Sequence, residues 1–350
     1  ANYTPTIELK PEDEGYQEAY QAALDAYYSQ VQEKVKAARA AYDALTEEQK
    51  AAFDATVLAK LTALEELIAM REQADVLPNE DTVAMIGNDE YSSLNDAITA
   101  APDNGIITLV KDCSLTSVQN LNGRSITIDG GSEKHHIDAN GTHINVNGNL
   151  TFQNVSMDVY NTPQGHWMYF YLSQGSSLEF VNSTVTVDGS NAPDNCTVMY
   201  YPEPYQEAAH FTLDNSSFIA SNCDGNGISW GGGAKDGFNT ITVINGSTLD
   251  ISHCAAKTIG GGGIIGTFEV TVKDSILKSH DNSSYGSNGS HFYFTNATVD
   301  FSNNETHGLS AGNLIVKDSI ITAQNNGYYG VCATGDFYVD NASTLNVTGN

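Results

Sequence analysis

The hexapeptides VKDSIL (272–277) and VKDSII (316–321) stand 44 residues apart. Internal periodicity restricts the folds open to a chain before any local propensity does. The midpoint is marked as well. In FTNATVDF (294–301), Asn296 lies 22 residues after Asp274 and 22 before Asp318. Aligning the chain on this Asn or Asp gives eight anchors: Asn154, Asn182, Asn215, Asn245, Asp274, Asn296, Asp318 and Asn341. Their spacings are 28, 33, 30, 29, 22, 22 and 23, and the copies at Asn245 and Asn341 carry one extra residue after the anchor. Apolar residues recur four and two positions before the anchor and three and five after it. Leu150, Phe152, Met157 and Val159 fit, as do Leu178, Phe180, Val185 and Val187, and Phe292, Phe294, Val299 and Phe301.

Alternation on both sides of an anchor describes two short strands, each with one buried face. Between them the chain must bend sharply, and Asn, Asp and Gly tolerate the left-handed backbone such a bend uses. A coil of 22 residues cannot bury its own inner face, whereas coils stacked about 4.8 Å apart can, by pairing strands in register. Stacked anchors could also form an amide ladder. The predicted fold class is therefore mainly β, a right-handed single-stranded parallel β-helix preceded by a small α-helical bundle. Longer spacings place inserted loops at 158–166, 188–196 and 202–209.

The helical part is predicted over residues 1–76. Pro11 with Glu12, Asp13 and Glu14 makes a helix start. Tyr20, Leu24, Tyr27, Val31, Val35, Ala38, Tyr42 and Leu45 form an apolar stripe read as core. TEEQ (46–49) is a capping box, and a second helix carries Leu58, Leu61, Leu64, Leu67 and Ile68, with a break near Asp54. Residues 77–91 read as a linker. The β-helix is predicted over 92–350, opening with a short cap helix in SSLNDAITAAPDNG (92–105) that covers a sheet edge. The sequence ends within STLNVTGN, inside a repeat, which reads as a truncated C-terminal end.

Lys and Arg total 15 against 43 Asp and Glu, a formal charge of −28. Such a surface repels nucleic acid and anionic membranes, and no stretch has the length and apolarity of a membrane span. The opening ANYTPTIELK shows no leader and fits a mature or trimmed secreted chain. Five cysteines without CxxC indicate neither a disulfide framework nor a zinc site. Cys223 and Cys254 follow their anchors by eight and nine residues and would stack on adjacent turns, as buried thiols or as a disulfide. No metal or cofactor is indicated; His135 and His136 would point to opposite faces of a strand.

SLNDAITAAPDNGIITLVKD (93–112) followed by RSITIDGG (124–131) resembles the N-terminal turns of pectate-lyase-like β-helices in large surface proteins of Gram-positive gut bacteria. ARAAYDALTEEQK (38–50) is similar to the small helical modules of the same proteins. The resemblance implies an extracellular protein of the cell surface or cell wall, an adhesin or structural stalk. Its partners would be a host or dietary glycan or a host surface protein. The alternative is a polysaccharide lyase or glycoside hydrolase with its site in the loops around 160–210. Against it, the three arginines, Arg39, Arg71 and Arg124, lie outside the repeat body. That body also has no Asp-Asp, and THG (306–308) lacks the first glycine of Gly-His-Gly.

One stretch departs from a plain scaffold. HWMYFYL (166–172) alternates Trp167, Tyr169 and Tyr171 with Met168, Phe170 and Leu172. With the latter set inside, the former makes an outward aromatic row. TVMYY (197–201) and GISW (227–230) occupy the same strand of the next turns, bringing Tyr200, Tyr201 and Trp230 near it. Later turns carry GGIIG, HGLSAG and YGVCATG there, which look small and plain. Trp167, Tyr169, Tyr171, Tyr200, Tyr201 and Trp230 are thus the candidate ligand-binding residues, either a platform for sugar rings or a local core beneath the inserted loops.

Overall fold

A computed structural model describes residues 16–74, 79–118, 121–161, 167–192, 195–201, 207–230, 237–254 and 261–350. The chain divides into two units, Ala1–Leu77 and Pro78–Asn350.

The first unit contains α1 (Tyr16–Asp43), α2 (Glu47–Ala51) and α3 (Ala55–Ala74). Both halves of the capping box form: Gln49 N donates to Thr46 Oγ1 at 3.3 Å, and Thr46 N to Gln49 Oε1 at 2.9 Å. The break falls at Asp54, whose carboxylate accepts from Thr56 N at 2.7 Å at the start of α3. The expected start at Pro11 lies outside the described residues. Arg39 ties α1 to α3 through Glu65, with Nε–Oε1 at 2.7 Å and Nη2–Oε2 at 2.5 Å. The stripe is less of a core than its spacing suggests. Among the described residues of these helices only Val35 is buried, while Tyr27, Val31, Tyr42 and Leu45 are half-buried. Two packed helices give each stripe one neighbour, which covers only part of its width.

The second unit is a parallel β-solenoid of about eight turns. Its strands form one 18-stranded and one 10-stranded sheet among the described residues. Leu150, Leu178 and Phe211 are in register on successive turns, as are Phe152, Phe180 and Leu213, and all six are fully buried. Beyond the corner Met157, Val185 and Phe218 continue the same core. Seven anchors occupy the left-handed region, from Asn215 at φ 48° to Asn245 at φ 58°. The eighth does not. Near Asn341, Asp318 N donates to both oxygens of Asp340, and Ser343 Oγ donates to Asp340 Oδ1 at 2.6 Å, so a longer turn replaces the one-residue bend.

The anchor ladder forms in part: Asn182 Nδ2 donates to Asn154 Oδ1 at 2.6 Å, and Asn296 Nδ2 to Asp274 Oδ1 at 2.8 Å. Beneath it runs a buried hydroxyl ladder. The N–H groups of Val155, Ser183, Ser216 and Ser247 donate to Oγ of Ser183, Ser216, Ser247 and Ser275 at 3.0–3.2 Å.

A second left-handed corner follows seven residues after the anchors, at Asn161, Asn222, Asp281, Asn303 and Asn325. Just inside it stand Asn282, Asn304 and Asn326, all buried. Each donates through Nδ2 to the Oδ1 of its successor, ending on Asn350, at 3.0, 3.1 and 2.8 Å. Glycines make room for these amides. A Cβ on Gly286 would lie 2.7 Å from Asn304 Nδ2, and one on Gly308 2.8 Å from Asn326 Nδ2. Cys223 and Cys254 occupy the same inner place on earlier turns, as buried free thiols that donate to Ser221 O and Ser252 O.

The expected linker is largely part of the solenoid. Residues 84–91 form an antiparallel hairpin of β1 (Ala84–Ile86) and β2 (Asp89–Tyr91), turning at Gly87 with φ 59°. β1 then pairs antiparallel with β3 (Gly105–Leu109). The cap helix is α4 (Leu94–Ala100), with Ser93 accepting from Asp96 N at 3.1 Å and Leu94, Ala97 and Ile98 buried. Arg124 closes its far end: the guanidinium donates to the carbonyls of Ile98, Thr99 and Ala101, a cation placed on the negative end of the helix.

Candidate functional site

The strands Met168–Leu172, Thr197–Tyr201 and Ile228–Trp230 lie side by side, with Tyr171, Tyr200 and Ser229 in register. Trp167 is 45% exposed and meets Tyr200 edge-on at 4.6 Å between ring centres. Tyr200 lies 6.3 Å from Tyr171, and Tyr171 6.4 Å from His143 on the preceding turn. Trp167, Tyr200, Tyr171 and His143 therefore make a continuous chain of rings across three turns. The lengthened turns, with anchor spacings of 28–33 against 22, add residues at both ends of this strand.

Two expected members are inside instead. Tyr169 is fully buried and donates to Asp188 O at 3.0 Å. Burial, with Cys196 and Cys223 nearby, pushes its hydroxyl pKa far up. Met168, Tyr169 and Phe170 are buried one after another, so the strand does not alternate over its first three residues as the sequence suggests. Tyr201 is fully buried against Phe268, with ring centres 5.2 Å apart. It follows the outward Tyr200 and so takes the opposite face. Trp230 pairs in register with Tyr201, and its side chain lies outside the described residues.

A second ring column went unnoticed in the sequence. Tyr285, His307 and Tyr329 stand two residues before the registered Ser287, Leu309 and Val331. Tyr285 and His307 stack at 4.9 Å with planes 12° apart; His307 meets Tyr328 at 5.6 Å and Tyr329 at 5.2 Å. Desolvation holds the His307 pKa below the ordinary imidazole value, so the ring stacks as a neutral imidazole at pH 7. Its Nδ1 is buried without a hydrogen-bond partner among the described residues. The legible signal was SYG, THG and YYG at intervals of 22 residues, each aromatic preceding a glycine of the inner column.

Elsewhere His280 lies between two carboxylates, Nε2 at 3.1 Å from Asp250 and Nδ1 at 2.5 Å from Asp281, with Lys278 Nζ 3.4 Å from Asp250. The Asp250 hydrogen bond, joined by that to Asp281, raises its pKa to about 9. At neutral pH it is an ion-paired imidazolium, which has no free lone pair for general-base chemistry. The His135 ring contacts Asp112 Oδ1, to which His136 N also donates, while the His136 ring contacts Ser156. No group of three or more His, Cys, Asp or Glu among the described residues is placed to hold a metal ion. No helix among the described residues is long and apolar enough to cross a membrane. Comparison with protein-family models, with curated protein sequences and with solved structures returns no match.

Proposed function

We propose that the protein is an extracellular solenoid of a Gram-positive bacterial surface, an adhesin or stalk of the pectate-lyase-like kind. It holds an uncharged glycan on the flank carrying Trp167, Tyr171 and Tyr200. The observation that supports this reading is the outer ring chain Trp167–Tyr200–Tyr171–His143. Aromatic faces take the C–H faces of sugars, while hydroxyl tips and nearby amides bond to sugar hydroxyls. The charge of −28 disfavours acidic glycans in the absence of a bridging cation. Tyr169 and Tyr201 then serve as packing beneath the platform. A glycan array with the parent and a Trp167→Ala/Tyr200→Ala variant tests it. An anchor ring contributes about 1–3 kcal/mol, so the variant should lose tenfold or more in affinity. Unchanged binding would move the site elsewhere.

A further inference from the structure

The two ring clusters share one strip of sheet. Following Tyr171 and Tyr200, the outward register positions are Ser229, Ile265, Asn288 and Ser310. None is charged. The neighbouring faces differ, with Glu179, Asp214 and Lys273 on one side and Asp158, Asp250 and Lys278 on the other sheet. Among the described residues the register positions of this strip thus form an uncharged lane on a strongly acidic protein. Tyr285 and His307 border it, three residues upstream of Asn288 and Ser310. Asn288 follows Tyr200 by three turns, about 14 Å at 4.8 Å per turn.

We propose that this lane is a single elongated site whose ligand is a linear, uncharged polysaccharide lying along the solenoid axis. Trp167, Tyr171 and Tyr200 grip one end, and Tyr285 with His307 the other. The inference rests on the glycan-binding reading above and adds the length and direction of the ligand. A lane without charge selects against ionic partners, because every charged group brought there would lose water without gaining a counter-ion. The backbone N–H and C=O groups of the strip are engaged in turn-to-turn pairing. It therefore offers ring faces, hydroxyls and amides, as a sugar chain requires, and no free strand edge for an extended peptide.

The test is titration calorimetry of the full chain with cello-, manno- and xylo-oligosaccharides, from the dimer to the longest soluble members. In the series that binds, affinity should rise with chain length. Tyr285→Ala/His307→Ala should lower affinity about tenfold for long chains and leave dimers unaffected, whereas Trp167→Ala should weaken every length. Asn288→Asp keeps all the rings and puts a charge in the lane, so it should also act only on long chains. It serves if the double variant melts early. Affinity that stops rising at the dimer or trimer, or long chains indifferent to both variants, would overturn the single lane while leaving the Trp167 platform standing. No binding by the parent to any series would overturn both readings.

Discussion

Asn304→Ala should be among the most damaging single changes in the solenoid, although it removes only a few atoms. The Asn304 amide oxygen accepts from Asn282 N at 3.1 Å and Asn282 Nδ2 at 3.0 Å. The two hydrogens of its Nδ2 are shared among Asn326 Oδ1 at 3.1 Å and the carbonyls of Phe301, Ser279 and Ser302 at 3.0–3.2 Å. Alanine leaves at least two of these groups buried and unpartnered, at about 1–3 kcal/mol each. The expected loss is about 3–5 kcal/mol, on the order of 10 °C in melting temperature for a unit of this size. The neighbouring Asn303→Ala is the internal control. Asn303 sits exposed at the corner with φ 59°, and replacing it costs roughly 1 kcal/mol of left-handed preference. Thermal unfolding followed by circular dichroism in the strand region compares the two. Equal shifts for Asn303→Ala and Asn304→Ala would refute the view that the inner ladder carries more stability than the corner.

Val316 is fully buried and Lys317 exposed. Val316→Asp should cost several kcal/mol through an unpaired buried carboxylate, while Lys317→Ala stays within about 0.5 kcal/mol. Equal melting temperatures for Val316→Asp and the parent would contradict the inward register. The His280 pKa stands at about 9 in the folded protein, against 6.5 for an ordinary imidazole. Its ion pairs with Asp250 and Asp281 therefore contribute fully below about pH 6.5, and that contribution is lost as pH rises through 9. After discounting for partial exposure it amounts to about 1–2 kcal/mol. Urea unfolding at pH 6.5 and 9.5 should show that loss in the parent and little of it in His280→Gln; equal slopes would remove the pair from the stability account.

The solenoid was legible because strand side chains alternate with period two. Leu150, Phe152, Met157 and Val159 could be seen to share an inside before any neighbour was known. The first corner was legible because Asn and Asp take left-handed backbone locally. The second corner was obscured: His253 holds the left-handed place on one turn, and insertions break the count on others. Tyr169 was misread because strict alternation does not foresee three consecutive buried residues, Met168 to Phe170, with the tyrosine hydroxyl satisfied by Asp188 O. The β1–β2 hairpin carried its own signal, Gly87-Asn88 between two short runs, masked by the acidic residues around it. The Gly286 and Gly308 column acquires meaning only beside Asn304 and Asn326, which are distant in sequence and adjacent through register. The same holds for the Tyr285–His307 stack.

The inner ladders impose an order of assembly. Ser183 N is satisfied by Ser216 of the next turn, Ser216 N by Ser247, and Asn282 by Asn304, always by the successor. A turn taken alone holds polar groups with no means of satisfying them, and gains them only as a neighbour settles against it. The cooperative unit is thus the junction between turns and not the turn. Growth from an existing face then resembles the addition of a layer to a crystal, in which each completed layer is the mould for the next. A residue inserted within a strand displaces every later junction from its mould, whereas a whole 22-residue turn, or a loop at a corner, leaves the moulds intact.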